Sequence, residues 1–333
     1  MTAQRSNASD SRADATAQGF AQDIESYRRD VVLLCYRFLG SVSEAEEAAQ
    51  ETALRAWRSR ADFRGNASLR TWLHRIAARV CLDLLRSRRR RVLPPAMRST
   101  PADPLRPPEQ GATEIAWIEP LPEDIVEVAE HDPAARYDER ESVSLAFIAA
   151  LQVLPPRQRA VLLLRDVLAW SARETAGVLE MSVPAANAAL HRARTALRET
   201  HHRTGREAVP IEAPEDPHVR RLLDAYLTAW AADDVDGLVR TLRADVRLAM
   251  PPSPSWYVGR DTVADGMRRW IFGRLRPAGG YWTRETRANG QPGVVFGSTG
   301  APEHPLGVQI LAIAQDGVTD ITVFLDEAIA SRF

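Results

Sequence analysis

The spacing of apolar residues predicts a run of helices over residues 22–91, where apolar positions recur every three to four residues. Ser43-x-x-Glu46 predicts a capping box that opens a helix ending at Arg58. Ser68 predicts the cap of the helix that follows. The buried face predicted for this next helix consists of Leu69, Trp72, Leu73, Ile76, Val80 and Leu84.

A second helical block follows a stretch that interrupts the pattern. Residues 93–136 are rich in Pro and in acidic side chains, cannot hold a long helix, and are predicted to form an extended linker. Helical periodicity resumes near Tyr137. Ser171-x-x-Glu174 predicts another capping box, and Ser182 predicts the cap of the helix after it. Two short helices joined by a tight turn predict a helix-turn-helix motif, with a generic helical hairpin as the alternative.

The pattern changes class after residues 206–215, which are predicted to form a second linker. The next segment predicts helices with one apolar face made of Leu222, Leu223, Tyr226, Leu227 and Trp230. Alternating or continuous apolar segments follow, separated by Gly, Pro and Asn-Gly turns, and these predict strands. Residues 216–333 therefore predict an α+β domain separate from the helical front.

Charge is segregated along the chain although its net value is only −1. Residues 64–98 carry ten Arg against one acid, residues 99–141 carry twelve acids against three Arg, and residues 157–206 carry nine Arg against four acids. Two basic blocks are typical of surfaces that follow a phosphate backbone, and solvated basic faces are the alternative.

Residue usage excludes several kinds of chemistry. All 43 basic residues are Arg, so a phosphate-binding Lys or a Schiff base is excluded. Cys35 and Cys81 fall in apolar-periodic segments without metal-ligand spacing, which predicts buried thiols, no metal site and no cofactor. Because no apolar run approaches membrane-spanning length and no signal core is present, we expect a cytoplasmic protein without a membrane partner. Residues 1–18 lack periodicity and are predicted to be disordered.

Two stretches of the chain resemble one protein family. The stretch "EAEEAAQETALRAWRSRADFRGNASLRTWLHRIAARVCLDLLRSRRRR" is similar to the core domain of bacterial extracytoplasmic-function sigma factors of the sigma-70 family. The stretch "LPPRQRAVLLLRDVLAWSARETAGVLEMSVPAANAALHRARTAL" resembles their promoter-reading helix-turn-helix domain. The tail, with "AYLTAWAADDVDGLVRTLRADVRLAMPP" and "WYVGR", resembles a SnoaL-like cone domain of the polyketide-cyclase type.

The resemblance implies a multidomain protein, with two all-α sigma domains followed by an α+β cone. The implied boundaries are 1–18 for the N-terminus, 19–92 for sigma region 2, 93–136 for the linker, 137–205 for sigma region 4, 206–215 for the second linker and 216–333 for the cone. It implies no catalytic residue, because the polymerase performs the chemistry.

By resemblance, the partners are core RNA polymerase and promoter DNA, and the holoenzyme would be associated with the nucleoid. The β′ clamp helices and the β subunit are the implied polymerase elements, and the implied docking residues are Glu47, Gln50, Glu51 and Arg55. The residues implied to bind the −10 element are Arg64, Asn66, Ser68, Arg70, Arg75, Arg79, Arg86, Arg88, Arg89 and Arg90. The residues implied to bind the −35 element are Ser182, Ala185, Asn187, Ala188, His191, Arg192 and Arg194. Arginines in these sets would contact phosphates, which fixes register without reading sequence.

Two positions depart from the family pattern. Arg79 stands where these proteins usually have Asn, which puts a base contact there in doubt. Glu180 occupies a turn position often filled by Gly, and a left-handed backbone at that position would cost about 1 kcal/mol.

Two other functions stay open on the sequence alone. One is a ligand-responsive helix-turn-helix regulator whose cone binds a small molecule, although such a protein has no need of a polymerase-docking block. The other is a cyclase or isomerase that uses Asp245, Trp256, Tyr281, His304 and Asp326. No acid–base pair can be placed by spacing among these residues, so we expect the cone to regulate the sigma domains, with a small-molecule ligand as a further partner.

Overall fold

A computed structural model of the protein describes residues 18–65, 67–97, 100–111, 114–126, 141–203 and 216–333. The chain divides into two compact units. The first comprises Met1–Arg88 and Pro155–Arg192, and the second comprises Arg89–Leu154 and Ala193–Phe333. The described residues between the two sigma-like stretches therefore belong to the same unit as the C-terminal domain.

Three helices form the front of the first unit: α1 (Arg28–Leu39), α2 (Val42–Arg58) and α3 (Leu69–Ser87). The helices α1 and α2 are separated by Gly40, whose φ of 70° is the left-handed conformation that glycine adopts without strain. Both cysteines are fully buried in this bundle. The predicted end of α2 at Arg58 is confirmed.

The cap predicted for α2 is wrong by two residues. The side chain of Ser41, not Ser43, accepts a hydrogen bond from the backbone N–H of Glu44. Ser41-x-x-Glu44 has the same spacing as the predicted capping box. Val42, the residue after Ser41, is buried and is the first residue of the helix.

The cap predicted for α3 is confirmed, because the Ser68 side chain accepts from the N–H of Thr71. The predicted apolar face is only partly right. The buried residues of α3 are Leu73, His74, Ala77, Ala78, Val80 and Cys81. The prediction followed the large apolar side chains, whereas small side chains occupy much of the buried face, where they let helices approach closely. Trp72 is half-buried, with its ring centroid 5.2 Å from that of Phe63.

The helices described between residues 141 and 203 are α4 (Leu145–Val153), α5 (Pro156–Leu162), α6 (Ala172–Val178) and α7 (Val183–Arg203). The start of helical structure near Tyr137 lies outside the described residues. The capping box at the start of α6 is confirmed, with Ser171 and Glu174 each bonded to the other's backbone N–H. Met181 donates its N–H to the carbonyl of Ala176, which closes the tight turn into α7.

The C-terminal domain is an α+β fold, as predicted. It opens with α8 (Pro217–Ala231) and α9 (Val235–Thr241), and α10 (Arg260–Gly266) runs on into a wider helical turn at Met267–Arg274. The strands are β1 (Leu242–Ala249), β2 (Trp256–Val258), β3 (Tyr281–Ala288), β4 (Gln291–Ser298), β5 (Pro305–Ala314) and β6 (Gly317–Phe324). They form one sheet in the order β2-β1-β6-β5-β4-β3, in which only β1 and β6 pair in parallel.

The core of this domain lies between the sheet and its helices. Tyr226 and Trp230 on α8 are buried against sheet residues such as Phe296 and Leu311. The predicted Asn-Gly turn is confirmed between β3 and β4, where Asn289 and Gly290 have φ of 56° and 67°. Within the ranges that the structure describes, no helix is both long enough and apolar enough to cross a bilayer.

Candidate nucleic-acid interface

Two arginines of α3, Arg75 and Arg79, lie against the helix-turn-helix and the loop before it within the first unit. The guanidinium carbon of Arg75 is 5.9 Å from the ring centroid of Trp170. Arg79 places its Nη2 atom 3.5 Å from the Glu180 carboxylate and its Nε atom 3.5 Å from the carbonyl oxygen of Val178. Two arginines predicted to contact DNA are therefore covered in part by the second sigma-like domain.

Arg70 is held by an acid that the sequence patterns did not single out. Its Nε and Nη2 atoms donate to the two carboxylate oxygens of Asp30 at 2.8 and 2.9 Å. The Nε2 atom of the buried His74 lies 2.7 Å from the same carboxylate. Burial raises the pKa of Asp30, but the hydrogen bonds from Arg70 and His74 outweigh it and hold that pKa well below its usual range. Arg70 is thus a bridge between α1 and α3 in this structure.

The Arg run after α3 is also engaged locally. Arg88 forms ion pairs with Glu44 and Glu47, and Arg89 donates through Nη1 to the carbonyl of Glu114 at 2.9 Å. Arg86 pairs with Asp83 at 3.0 Å. The Arg88–Glu44 pair is partly exposed and the other contacts are exposed, so each exposed ion pair contributes at most about 1 kcal/mol and can yield to a phosphate.

The remaining residues predicted for the −10 element are Arg64, Ser68, Arg90 and Asn66. Arg64, Ser68 and Arg90 are exposed, and Ser68 also caps α3. Asn66 lies outside the described residues. The loop that carries Arg64 starts at the Phe63–Trp72 aromatic contact, which anchors it to α3.

The helix α7 presents every residue predicted for the −35 element on its exposed side. Ala186, Ala189, Leu190 and Ala193 form its buried side. The exposed residues are Ser182, Ala185, Asn187, Ala188, His191, Arg192 and Arg194. Ser182 also accepts a hydrogen bond from the N–H of Ala185 at 3.3 Å, so the helix starts where it was predicted to start.

The turn before α7 has a left-handed residue at the position where the resembled family often has Gly. Glu180 has φ of 51°. We expect Glu180→Gly to stabilise the helix-turn-helix by about 0.5–1 kcal/mol, because glycine adopts this conformation without a Cβ clash. Native-state hydrogen exchange of the α6 and α7 amides measures the change. Glu180→Gln, which keeps the strained backbone and removes the charge, should give no gain, and equal protection in both variants would contradict the prediction.

A second surface lies along α2. Glu47 and Gln50 are exposed, and the partly exposed Glu51 and Arg55 are joined by an ion pair of 2.7 Å. Leu54 lies on the same face and is 51% exposed, so a large apolar side chain is left in solvent there. The sequence prediction missed Leu54, although its spacing of four and three residues from Gln50 and Glu51 could have indicated it.

Each residue considered for chemistry in the cone has a structural role or a partner of its own. Asp245 is paired with Arg243, whose hydrogen bond lowers the pKa of Asp245, and His304 is exposed and paired with Glu327. Tyr281 donates to the carbonyl of Ile271, and burial raises its pKa to about 12. Asp326 caps the one-turn helix Glu327–Ala330, and Trp256 is buried in β2. In the described part of the chain no group of three or more His, Cys, Asp or Glu could hold a metal ion.

Comparisons with known proteins identify the two helical domains. A model of sigma-70 region 2 matches residues 24–91, and a model of sigma-70 region 4 matches residues 144–197. The ECF RNA polymerase sigma factor SigG of Mycobacterium tuberculosis is 39% identical over 327 residues, which cover 96% of this chain and 85% of SigG. SigW of Bacillus subtilis is 30% identical over 182 residues, which cover 54% of this chain and 87% of SigW.

A solved structure extends the likeness to the whole fold. The crystal structure of the extracytoplasmic-function sigma factor SigJ of Mycobacterium tuberculosis superposes with a TM-score of 0.59 at 22% identity, covering 93% of this chain and 98% of SigJ. The predicted fold class, two sigma domains followed by a SnoaL-like α+β domain, is confirmed. The chain belongs to the extracytoplasmic-function family of RNA polymerase sigma factors, which bind the core enzyme and direct it to promoters.

Proposed function

We propose that this sigma factor docks on core polymerase through the exposed face of α2. The surface comprises Glu47, Gln50, Glu51, Leu54 and Arg55, which recur at three- and four-residue spacing on one side of the helix. A half-exposed leucine surrounded by charged side chains is the arrangement of an interface with a small apolar centre and a polar rim. The exposure of Leu54 is the single observation that carries this assignment.

The promoter surface is divided between the two sigma domains. In region 2, Arg64, Arg75, Arg79 and the run Arg88–Arg90 supply cations for the −10 backbone, and Arg70 joins them only if it leaves Asp30. In region 4, α7 enters the major groove of the −35 element. Its small Ala185 and Ala188 side chains allow close approach to thymine methyl groups, and Asn187 suits a bidentate contact with adenine.

Base readout and phosphate contact on α7 can be separated by two substitutions. We expect Asn187→Ala to cost about 1–3 kcal/mol on the preferred promoter and to relax selection at one base position. Arg192→Ala should weaken binding to all promoter sequences alike and reduce the slope of log K against log salt concentration by about 0.9. Binding of the holoenzyme to a library of −35 variants measures both. If Asn187→Ala weakened every sequence equally, its assignment as a base contact would be wrong.

The C-terminal domain regulates the sigma domains and does not catalyse a reaction. The separate pairings of Asp245 with Arg243, of Tyr281 with the carbonyl of Ile271 and of His304 with Glu327 support this role, because a general acid and base must act together on one substrate. A small molecule bound in the cone would shift activity only by binding one arrangement of the chain better than another. The protein works in the cytoplasm and reaches the nucleoid as part of the holoenzyme.

Ending the chain at about residue 208 tests this regulatory role. Promoter-dependent transcription should differ several-fold from that of the full chain, because a short linker keeps the C-terminal domain at high local concentration. The two proteins are compared at equal folded concentration, judged by hydrogen exchange of the α1–α3 amides. Equal transcription, both with and without cell extract as a source of ligand, would favour an independent enzyme instead.

A further inference from the structure

Three aromatic rings meet where the loop between α2 and α3 begins. The ring centroid of Phe20 is 6.2 Å from that of Phe63 and 6.3 Å from that of Trp72, and the Phe63 and Trp72 centroids are 5.2 Å apart. All three separations lie in the range of about 4.5–7 Å over which aromatic pairs attract each other. We call Phe20, Phe63 and Trp72 the aromatic triad. Each ring contacts the other two, so the removal of one ring loosens the contacts of both others.

The aromatic triad joins three segments that are distant in sequence. Phe20 belongs to the helical residues 18–26, Phe63 follows the short 3-10 turn Arg60–Asp62, and Trp72 is the fourth residue of α3. Ile24 lies four residues after Phe20, on the same face of the helix, and is buried. Burial of Ile24 fixes the helix to region 2, so the ring of Phe20 is held against the loop from outside it.

Both ends of the loop are bonded next to the aromatic triad. Phe63 donates its N–H to the carbonyl of Arg60 at 3.2 Å, and Trp72 donates its N–H to the carbonyl of Ser68 at 3.0 Å. Arg64 and Gly65 follow Phe63 and are exposed, and Gly65 has a left-handed φ of 70°. The described part of the loop therefore projects into solvent from a base that the aromatic triad holds together.

Phe20 is not an ordinary core residue of region 2. It lies before residue 24, where the match to sigma-70 region 2 begins. All three rings of the aromatic triad are only partly buried, whereas core side chains of the same domain, such as Leu34 and Phe38, are fully buried. The aromatic triad is thus a separate cluster, and its one evident neighbour in function is the loop that carries Arg64.

We propose that Phe20 is a positioning residue for recognition of the −10 element. Phe20 braces the loop through the rings of Phe63 and Trp72, so that Arg64 and Ser68 meet the DNA in one arrangement. This inference rests on the assignment of region 2 to the −10 element. A loop that is ordered before DNA arrives loses less conformational entropy on binding. It also discriminates better between bases, because a rigid site leaves its polar groups unpaired against a wrong base.

Phe20→Ala separates this positioning role from a general loss of stability. We expect discrimination between the preferred −10 sequence and its single-base variants to fall about threefold to tenfold in binding by the holoenzyme, because each aromatic pair contributes about 2- to 12-fold to an equilibrium constant. Discrimination between −35 sequences should not change, since α7 lies outside the aromatic triad. In the free chain, hydrogen exchange of the Phe63 and Trp72 amides should rise by a similar factor, while the α1 amides keep their protection.

Three further variants control this experiment. Phe20→Tyr keeps the ring and should retain the discrimination of the wild type. Tyr27→Ala is the matched control, because it removes a partly buried ring from the same part of the chain but outside the aromatic triad, and it should also leave −10 discrimination unchanged. If Phe20→Ala does not fold, as judged by exchange of the α1 amides, Phe20→Leu takes its place. Leucine fills much of the same space without a ring, so we expect a loss of at least about twofold.

Two results would overturn the positioning role. Equal weakening of binding to every −10 sequence would show that Phe20 only stabilises the fold. Reduced discrimination with unchanged exchange of the Phe63 and Trp72 amides would show that Phe20 contacts the DNA itself and does not brace the loop. A wild-type holoenzyme that binds all −10 sequences alike would instead overturn the assignment of region 2 to the −10 element, and raised amide exchange in Phe20→Ala would then still show the brace.

Discussion

Leu54→Asp should weaken the complex with core polymerase by about 30- to 1000-fold, equivalent to about 2–4 kcal/mol. The substitution removes the apolar centre of the α2 face and places a third carboxylate beside Glu47 and Glu51. A buried, unpaired charge adds a desolvation penalty to the lost contact. Binding of the labelled chain to core polymerase, followed by fluorescence anisotropy, measures the effect.

The matched control is Leu275→Asp, because Leu275 is 59% exposed and lies in the C-terminal domain. This variant carries the same chemical change on a surface that we do not assign to polymerase docking. Its affinity for core polymerase should therefore stay near that of the wild type. If Leu54→Asp also stayed within about threefold of the wild type, the α2 face would not be the docking surface.

Replacing Arg88, Arg89 and Arg90 with Ala should weaken promoter binding by the holoenzyme across all sequences. If all three contact phosphates, the slope of log K against log salt falls by about 2.7, which is about 0.9 for each lost contact. Arg88 is paired with Glu44 and Glu47 in the structure. A fall of about 1.8 in the slope would therefore indicate that Arg88 stays paired with these glutamates when the protein is bound to DNA. Sequence preference should not change.

The control for this block is the triple variant Arg268→Ala, Arg269→Ala and Arg274→Ala, which removes the same charge from exposed positions of the C-terminal domain. Its slope should match the wild type, because screening confines the effect of a charge to about 10 Å at moderate salt. A slope that falls equally in both variants would show that net charge, and not a local contact, controls binding.

Local signals in the sequence predicted the elements that carry the site. Ser171-x-x-Glu174 and Ser182 predicted the two helices of the helix-turn-helix, because caps act within one turn of the backbone. The Asn289–Gly290 pair predicted a hairpin for the same reason. The residues of α7 that the resemblance assigned to the −35 element lie on its exposed side, which the period of the helix keeps together.

Contacts between distant parts of the chain could not be predicted in this way. Arg70, which was predicted to bind DNA, is instead paired in the structure with Asp30, and the two residues lie 40 positions apart. The composition of the linker predicted an extended segment. In the structure Leu121 is buried, and its N–H donates to the side chain of Asn289, which lies 168 residues away in sequence. Such pairings depend on tertiary packing, which has no periodic signal in one sequence.

Transcription from linear DNA tests the central claim most directly. Core polymerase, the full-length chain and fragments of the source genome are combined, with core alone and chain alone as references. We predict run-off products of defined length only when both proteins are present, with protection of the template at the −10 and −35 positions. Specific DNA binding by the free chain, without binding to core polymerase and without run-off products, would contradict a sigma factor and favour a helix-turn-helix regulator.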